Sequence, residues 1–180
     1  MLYMFFAQGF EEVEAIAALD VIRRAGIEIK SVGVGDKIIT GSHSIPVVCD
    51  ITTDEITSFD AVEGVILPGG MPGTLNLFDS AKVHEAVDYC NNNNLLVSAI
   101  CAAPLILGRK NILNGKSAVC FPGFEEELIG AEISSDFVCT CDNVITAKGM
   151  GSAINFGLAI VAYFKGQTFA DNLKSSLQCS

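Results

Sequence analysis

LLVSAICAAPLILGR, residues 95–109, decides the fold class, because a short apolar run passes directly into a helical pattern at Cys101. The run Leu95–Ile100 is typical of a buried strand. Pro104 suits the first turn of a helix, where its missing N–H costs nothing. The small residue Ala102 permits the sharp bend between the two elements. This pattern predicts a nucleophile elbow, in which the junction side chain points into a crevice.

The same alternation of apolar runs and helical patterns extends along the whole chain. It predicts strands at Leu2–Ala7, Ile27–Val34, Val62–Leu67, Leu95–Ile100, Phe137–Cys141 and Val144–Ala147. The expected helices are Glu11–Ala25, Asp79–Asn91, Ala102–Arg109, Ser152–Phe164 and Thr168–Leu177, and Lys37–Ile51 is predicted to form a hairpin. Apolar strands separated by helices predict a single α/β domain with a mostly parallel sheet that is covered on both faces.

Composition excludes several classes of function. The chain has 180 residues, 50% of them hydrophobic, and a net charge of −10 with no basic cluster, so we expect no nucleic-acid partner. Its longest apolar stretch, Leu95–Leu107, is shorter than the roughly 20 residues of a membrane span. Seven scattered cysteines and an N-terminus without basic residues favour a cytoplasmic protein. With no CxxC pair and two distant histidines, we expect no metal.

Three loops are expected to meet at the carboxyl edge of such a sheet, namely Gln8–Glu14, Pro68–Gly73 and the turn at Cys101. A thiol at the start of a helix faces the positive end of the helix dipole, which stabilises a thiolate. Cys101 is therefore a candidate nucleophile. A buried cysteine that acts as a small hydrophobe fits the local pattern equally well.

Glu14 is a second candidate because it lies in an apolar setting one turn into the first predicted helix. If it points into the crevice, burial and a nearby thiolate both raise its pKa, and a protonated carboxyl can donate a hydrogen bond to sulfur. The alternative is a surface position. Glu11 and Glu12 are interpreted as surface acids that complement the helix dipole.

Two glycine-rich segments flank these candidates. Gly69 and Gly70 follow a strand and can present backbone N–H groups as an oxyanion hole beside Cys101. Lys148 precedes Gly149–Ser152 and can offer a charge to an anionic group. Neither segment matches a phosphate-binding loop, which leaves a bound flavin or other cofactor weakly supported, and we expect none.

Taken together and in order, these segments resemble the signatures of the ThiJ/PfpI superfamily, specifically its DJ-one-like branch. The matching motifs are Gly9–Ala15, Leu67–Gly70, Ala99–Pro104 and the closing segment Lys148–Ile160. The resemblance runs essentially from end to end. It implies a flavodoxin-like three-layer sandwich, which in this family is usually a homodimer.

The resemblance also implies roles for individual residues. Cys101 would be the oxidation-prone nucleophile, and Glu14 the protonated acid that hydrogen-bonds it. Gly70 and Ala102 would supply backbone N–H groups to an anion or to an oxidised sulfur.

Three positions depart from the family pattern. Ala102 stands where peptidase-like relatives have a histidine, which excludes a Cys-His dyad of that kind. Phe121 stands where DJ-one-like proteins often carry a histidine, so a general base is absent there. Lys148 replaces a common arginine and keeps the charge without the bidentate fork.

Two functions remain open on this basis. The leading hypothesis is a glyoxalase or deglycase, in which Cys101 attacks a small-molecule aldehyde or an early adduct on a glycated protein. The alternative is a redox sensor or stress-protective, chaperone-like protein that uses oxidation of Cys101 and needs no substrate.

Overall fold

A computed structural model describes residues 1–179. The strands in this part of the chain are β1 (Leu2–Phe6), β2 (Ile29–Gly33), β3 (Ile38–Thr40), β4 (Pro46–Val48), β5 (Ile51–Thr52), β6 (Gly64–Leu67), β7 (Leu96–Ile100), β8 (Ser117–Ala118), β9 (Glu132–Ile133), β10 (Val138–Cys141) and β11 (Val144–Ala147). The α-helices are α1 (Glu12–Arg24), α2 (Gly73–Phe78), α3 (Ala81–Asn92), α4 (Pro104–Arg109), α5 (Ala153–Lys165) and α6 (Gln167–Ser176).

The central sheet has seven strands in the order β10-β11-β7-β6-β1-β2-β5. Every neighbouring pair is parallel except β10 with β11. Apolar side chains of α3 and α4 pack on one face of the sheet, and those of α1 and α5 pack on the other. The predicted three-layer flavodoxin-like sandwich is therefore confirmed.

The predicted hairpin is present but shorter than its pattern indicates. Strands β3 and β4 pair antiparallel, with Ile38 opposite Val48. The end of the same segment, β5, instead joins the central sheet beside β2. The sequence pattern does not separate these two pairings because β-branched residues continue through both.

The elements that the sequence pattern misses are short. Helix α2 has six residues, and β8 and β9 have two each. Such lengths hold less than two helical turns or a single alternation, so they show no periodicity.

The core positions the functional candidates at one edge of the sheet. Strands β1, β6 and β7 run parallel and end together there, at Phe6, Leu67 and Ile100. Among residues 1–179, no helix has both the length and the apolar character needed to cross a bilayer.

Candidate functional site

Cys101 lies in a strained turn between β7 and α4. Its φ of 66° is in the left-handed region, which non-glycine residues rarely adopt. Two backbone hydrogen bonds hold the turn: the Cys101 N–H donates to Ala147 O at 2.9 Å, and Phe121 N–H donates to Cys101 O at 2.8 Å. The half-buried thiol therefore sits at the end of a central strand, as the elbow pattern predicts.

Glu14 points inward from the first turn of α1 rather than to the surface. It is only 1% exposed, and its Oε2 accepts a hydrogen bond of 3.0 Å from Gly69 N–H. Its own N–H donates to the side chain of Glu11, which caps the helix. The surface alternative for Glu14 is therefore wrong, because the end of β6 covers this side of the helix.

The environment of Glu14 disfavours its charged form. Burial raises the pKa of Glu14 to about 7, and the nearby charge of Glu11 acts in the same direction. Hydrogen bonds from Cys101 and from the backbone of Gly69 and Met150 oppose this effect only in part. Glu14 can therefore hold or release a proton near neutral pH.

The Cys101 thiol does not behave as an isolated thiol at a helix start. Burial, followed by the charge and hydrogen bond of the Glu14 carboxylate, raises the pKa of Cys101 to about 12. The backbone N–H groups of Gly70 and Ala102 lower it but do not prevail. While Glu14 is charged, burial and the Glu14 carboxylate therefore outweigh the stabilisation of the thiolate that was expected from the helix dipole. When Glu14 carries the proton, its repulsion disappears and its carboxyl can donate to the sulfur.

Two glycines let the chain pass close to this pair. A side-chain carbon on Gly69 would lie 2.5 Å from Cys101 Cβ and 2.6 Å from Glu14 Oε2. Gly70 has a φ of 92°, and its backbone faces the thiol. Gly69 N–H is thus used by Glu14, whereas Gly70 N–H and Ala102 N–H are directed at Cys101.

Phe121 and Lys148 lie at a cleft beside the pair. The cleft has a volume of about 350 Å³, and the residues that line it are Phe121, Pro122, Phe137, Lys148, Gly149, Met150, Gly151 and Ser152. The Lys148 ammonium lies 5.5 Å from the centre of the Phe137 ring. The sequence pattern does not assign Phe137 or Met150 to the site: it predicts Phe137 as the first residue of a strand, but β10 begins at Val138 and leaves Phe137 in the loop before it, and Met150 is a single apolar residue between two glycines, which carries no periodic signal.

Glu12 corrects a further expectation. It is not a surface acid: it is 6% exposed, and its Oε1 accepts hydrogen bonds from the N–H groups of His43 (2.7 Å) and Ile45 (3.5 Å). Its Oε2 contacts His43 Nδ1 at 3.0 Å. These bonds lower the pKa of Glu12 although burial acts to raise it. Glu12 therefore fastens the β3–β4 hairpin to α1.

Within the described residues, Glu11, Glu12 and His43 place one ligand atom each within 4.8 Å of one another, a spacing that a metal could accept. Glu12 Oε1, however, already accepts from the N–H groups of His43 and Ile45, and Glu12 Oε2 accepts from the Ser42 hydroxyl and contacts His43 Nδ1. The proximity of Glu11, Glu12 and His43 is therefore explained by the attachment of the β3–β4 hairpin to α1.

Comparisons with known proteins agree with this architecture. A model of the DJ-1/PfpI family matches residues 1–163. The chain is 32% identical over 164 residues to protein dj-1beta of Drosophila melanogaster, which covers 89% of this chain and 87% of the relative. It is 28% identical over 171 residues to a Caenorhabditis elegans protein named glutathione-independent glyoxalase DJR-1.2, covering 93% of this chain and 89% of that relative.

Among solved structures, an oxidized DJ-1 of Toxoplasma gondii superposes with a TM-score of 0.94 at 28% identity, covering 99% of this chain and 98% of the other. The match of fold, motif order and length leads to one conclusion: this chain belongs to the DJ-1/PfpI family.

Proposed function

We propose that the protein is a cysteine-dependent glyoxalase or deglycase that acts on reactive dicarbonyl compounds or on their early adducts with proteins. The observation that carries this proposal is the strained Cys101 thiol facing the buried carboxyl of Glu14, whose pKa is raised to about 7. A nucleophile beside a group that exchanges protons near neutral pH is what such a reaction needs. The glyoxalase name of the nematode relative supports the same reaction class.

The reaction begins with transfer of the thiol proton to Glu14. The Cys101 sulfur adds to the aldehyde carbon of an α-oxoaldehyde, and Glu14 returns the proton to the aldehyde oxygen, which gives a hemithioacetal and leaves Glu14 as a carboxylate. The Glu14 carboxylate then removes the proton from this carbon and delivers it to the neighbouring carbon, while the hydroxyl proton of the first carbon passes to the oxygen of the second. The first carbon is thereby oxidised and the second reduced. The product is a thioester, which water hydrolyses to a 2-hydroxy acid and the free thiol.

The backbone supports the charged stages of this sequence. The N–H groups of Gly70 and Ala102 are directed at the sulfur and can stabilise the oxyanion that forms on the adjacent carbon. Lys148, at the edge of the cleft, is the candidate contact for an anionic group of the substrate. Phe121 cannot act as a base, which leaves the proton transfers to Glu14.

Replacement of Cys101 tests the proposal directly. In Cys101→Ser we expect methylglyoxal consumption to fall on the order of a thousandfold or more, because the hydroxyl is a much weaker nucleophile at neutral pH. Cys141→Ser is the matched control, since Cys141 is also half-buried but lies on β10. Turnover that persists unchanged in Cys101→Ser rules out the proposed reaction.

A second candidate function rests on the same thiol. The Toxoplasma gondii relative was solved in an oxidized form, and the N–H groups of Gly70 and Ala102 can equally hold an oxidised sulfur. Under this hypothesis, mild peroxide adds oxygen to Cys101 first, and peptide mass spectrometry shows the modification there. Oxygen uptake at other cysteines with none at Cys101 would exclude a sensor that works through this residue.

A further inference from the structure

Three large apolar side chains are left exposed around the cleft beside Cys101. Phe121, Phe137 and Met150 are 48%, 66% and 55% exposed, and they come from three separate segments of the chain. Single exposed apolar residues are common on protein surfaces, but a group that converges on one concavity marks a binding site. The group therefore requires an explanation beyond packing.

The walls of this cleft offer few polar contacts. Aromatic rings, Pro122 and the Met150 thioether form most of its surface, with the Lys148 ammonium at its edge over the Phe137 ring. A small polar substrate gains nothing from such walls. An apolar group, in contrast, is transferred out of water when it enters.

The cleft adjoins the candidate catalytic pair. Phe121 N–H donates to the Cys101 carbonyl, which fixes the start of the cleft wall to the elbow. A side-chain carbon on Gly149 would lie 3.2 Å from the Phe121 ring and 3.8 Å from Glu14 Oε1. The ring of Phe121 and the carboxyl of Glu14 therefore both approach Gly149, which lines the cleft, so the aromatic walls and the candidate catalytic pair are neighbours.

We propose that this cleft selects α-oxoaldehydes that carry an aromatic substituent, and that Phe121, Phe137 and Met150 determine this specificity. The inference rests on the proposed function and names its substrate class. In this arrangement the dicarbonyl group meets Cys101 and Glu14, while the aromatic ring lies between the cleft walls. Phe121, at the position where related proteins often carry a histidine, then serves substrate recognition rather than proton transfer.

Kinetics with two oxoaldehydes test the specificity. We expect kcat/KM for phenylglyoxal to exceed that for methylglyoxal by roughly tenfold or more, because a ring buries several carbon atoms more than a methyl group. In Phe137→Ala this ratio should fall severalfold, chiefly through a higher KM for phenylglyoxal.

Phe169→Ala is the matched control for this variant. Phe169 is 41% exposed and lies beneath the Lys165 ammonium, just as Phe137 lies beneath Lys148, but it belongs to α6 and does not line the cleft. We expect its replacement to leave the ratio of the two kcat/KM values unchanged. An equal fall in both variants would overturn the assignment of Phe137 to specificity.

A binding measurement separates failure of this inference from failure of the proposed function. Mandelate and lactate, the 2-hydroxy acids derived from phenylglyoxal and methylglyoxal, are offered as competitors while alkylation of Cys101 is followed by peptide mass spectrometry. In the wild-type protein we expect mandelate to protect Cys101 from alkylation at a severalfold lower concentration than lactate. In Phe137→Ala this difference between the two acids should be smaller. This pattern without turnover of either oxoaldehyde supports the aromatic site and refutes only the reaction.

Two results would overturn the inference while leaving the reaction intact. One is turnover with no preference for phenylglyoxal over methylglyoxal. The other is that mandelate and lactate protect Cys101 from alkylation equally well. Equal protection overturns the inference also where sedimentation shows a dimer, in which a second copy of the chain would cover the cleft.

Discussion

Glu12 and Glu14 are two buried carboxylates in the same helical turn, and the fold treats them in opposite ways. The hairpin donates backbone N–H groups to Glu12 and lowers its pKa, so that Glu12 remains a fixed negative charge. Glu14 accepts from the Cys101 thiol and from the backbone of Gly69 and Met150, yet burial raises its pKa to about 7. One carboxylate therefore fastens two elements together, and the other is available for proton transfer.

The comparison shows that burial alone does not determine what a carboxylate does. Both side chains lose water, which raises the pKa of each. For Glu12 the hydrogen bonds from the hairpin outweigh this effect, whereas for Glu14 burial outweighs the hydrogen bonds from Cys101, Gly69 and Met150. A buried carboxylate therefore stays charged where its hydrogen bonds prevail, and it can exchange protons near neutral pH where burial prevails.

The largest expected difference between the two residues is in turnover. Glu14→Gln should reduce methylglyoxal turnover by about 10² to 10⁴ because the amide cannot move a proton. Glu12→Gln keeps the proposed catalytic pair of Cys101 and Glu14, and its turnover should stay within about tenfold of that of the wild-type protein. Steady-state rates under identical conditions check both values. Equal losses in the two variants would remove the functional distinction between them.

Replacing a glycine beside each carboxylate tests the same difference between Glu14 and Glu12, because the added methyl group would clash with the carboxylate. In Gly69→Ala the new carbon falls 2.5 Å from Cys101 Cβ and 2.6 Å from Glu14 Oε2, so we expect turnover to fall on the order of a hundredfold through displacement of the pair.

Gly41→Ala is the matched change at the hairpin, where the new carbon would overlap the Glu12 carboxyl. We expect it to lower the free energy of unfolding by about 1–3 kcal/mol with little effect on turnover. Urea unfolding and turnover rates, measured on both glycine variants, distinguish a loss of stability from a loss of activity. A catalytic loss confined to Gly41→Ala would contradict the placement of the site.

The pH dependence of stability should separate the two carboxylates next. Glu14 has a folded pKa of about 7 against an ordinary value of 4.5. The folded state therefore binds the proton more tightly, and its stability falls as pH rises from about 4.5 to 7. Glu14→Gln removes this loss and should be more stable than the unmodified protein by about 3 kcal/mol at pH 8, with the advantage disappearing near pH 4.5.

Glu12→Gln should show the opposite trend. The folded pKa of Glu12 is lowered, so its contribution is present above the ordinary pKa of 4.5 and is lost as pH falls below it. Losing hydrogen bonds to a charged group should destabilise the variant at pH 8 by about 2 kcal/mol. Urea titrations provide the measurement, at pH 8 and pH 4.5 for Glu14→Gln and at pH 8 and about pH 3 for Glu12→Gln. If the stability changes of Glu14→Gln and Glu12→Gln had the same sign and the same dependence on pH, the environments of the two carboxylates would not differ as described.

The smallest effect is expected on the pKa of Glu14 itself. The hydrogen bond from Cys101 lowers this pKa, so Cys101→Ala should move it above about 7. Side-chain carbon NMR can follow the titration, with Glu12 in the same spectrum as an internal reference that stays below its ordinary value. A Glu14 pKa that falls in Cys101→Ala would show that the thiol does not donate to it.

Much of the fold was predictable because it depends on local pattern. The apolar strands, the helices between them and the bend before Pro104 are properties of neighbouring residues, and they indicated both the parallel sheet and the position of Cys101 at an elbow. The short helix α2 and the pairing of β5 with the central sheet were not predictable, because segments of two to six residues carry no periodic signal.

Local sequence pattern is enough to predict the α/β architecture, the elbow at Cys101 and the presence of acids at the start of α1. Which acid fastens the hairpin and which has a raised pKa depends on contacts between distant segments. Glu12 receives backbone donors from a hairpin 31 residues away, and Glu14 receives one from Gly69, 55 residues away, and another from the segment at Met150. A pKa depends on the groups that surround a side chain in space, and these come from distant parts of the chain, so no local pattern could distinguish the two carboxylates.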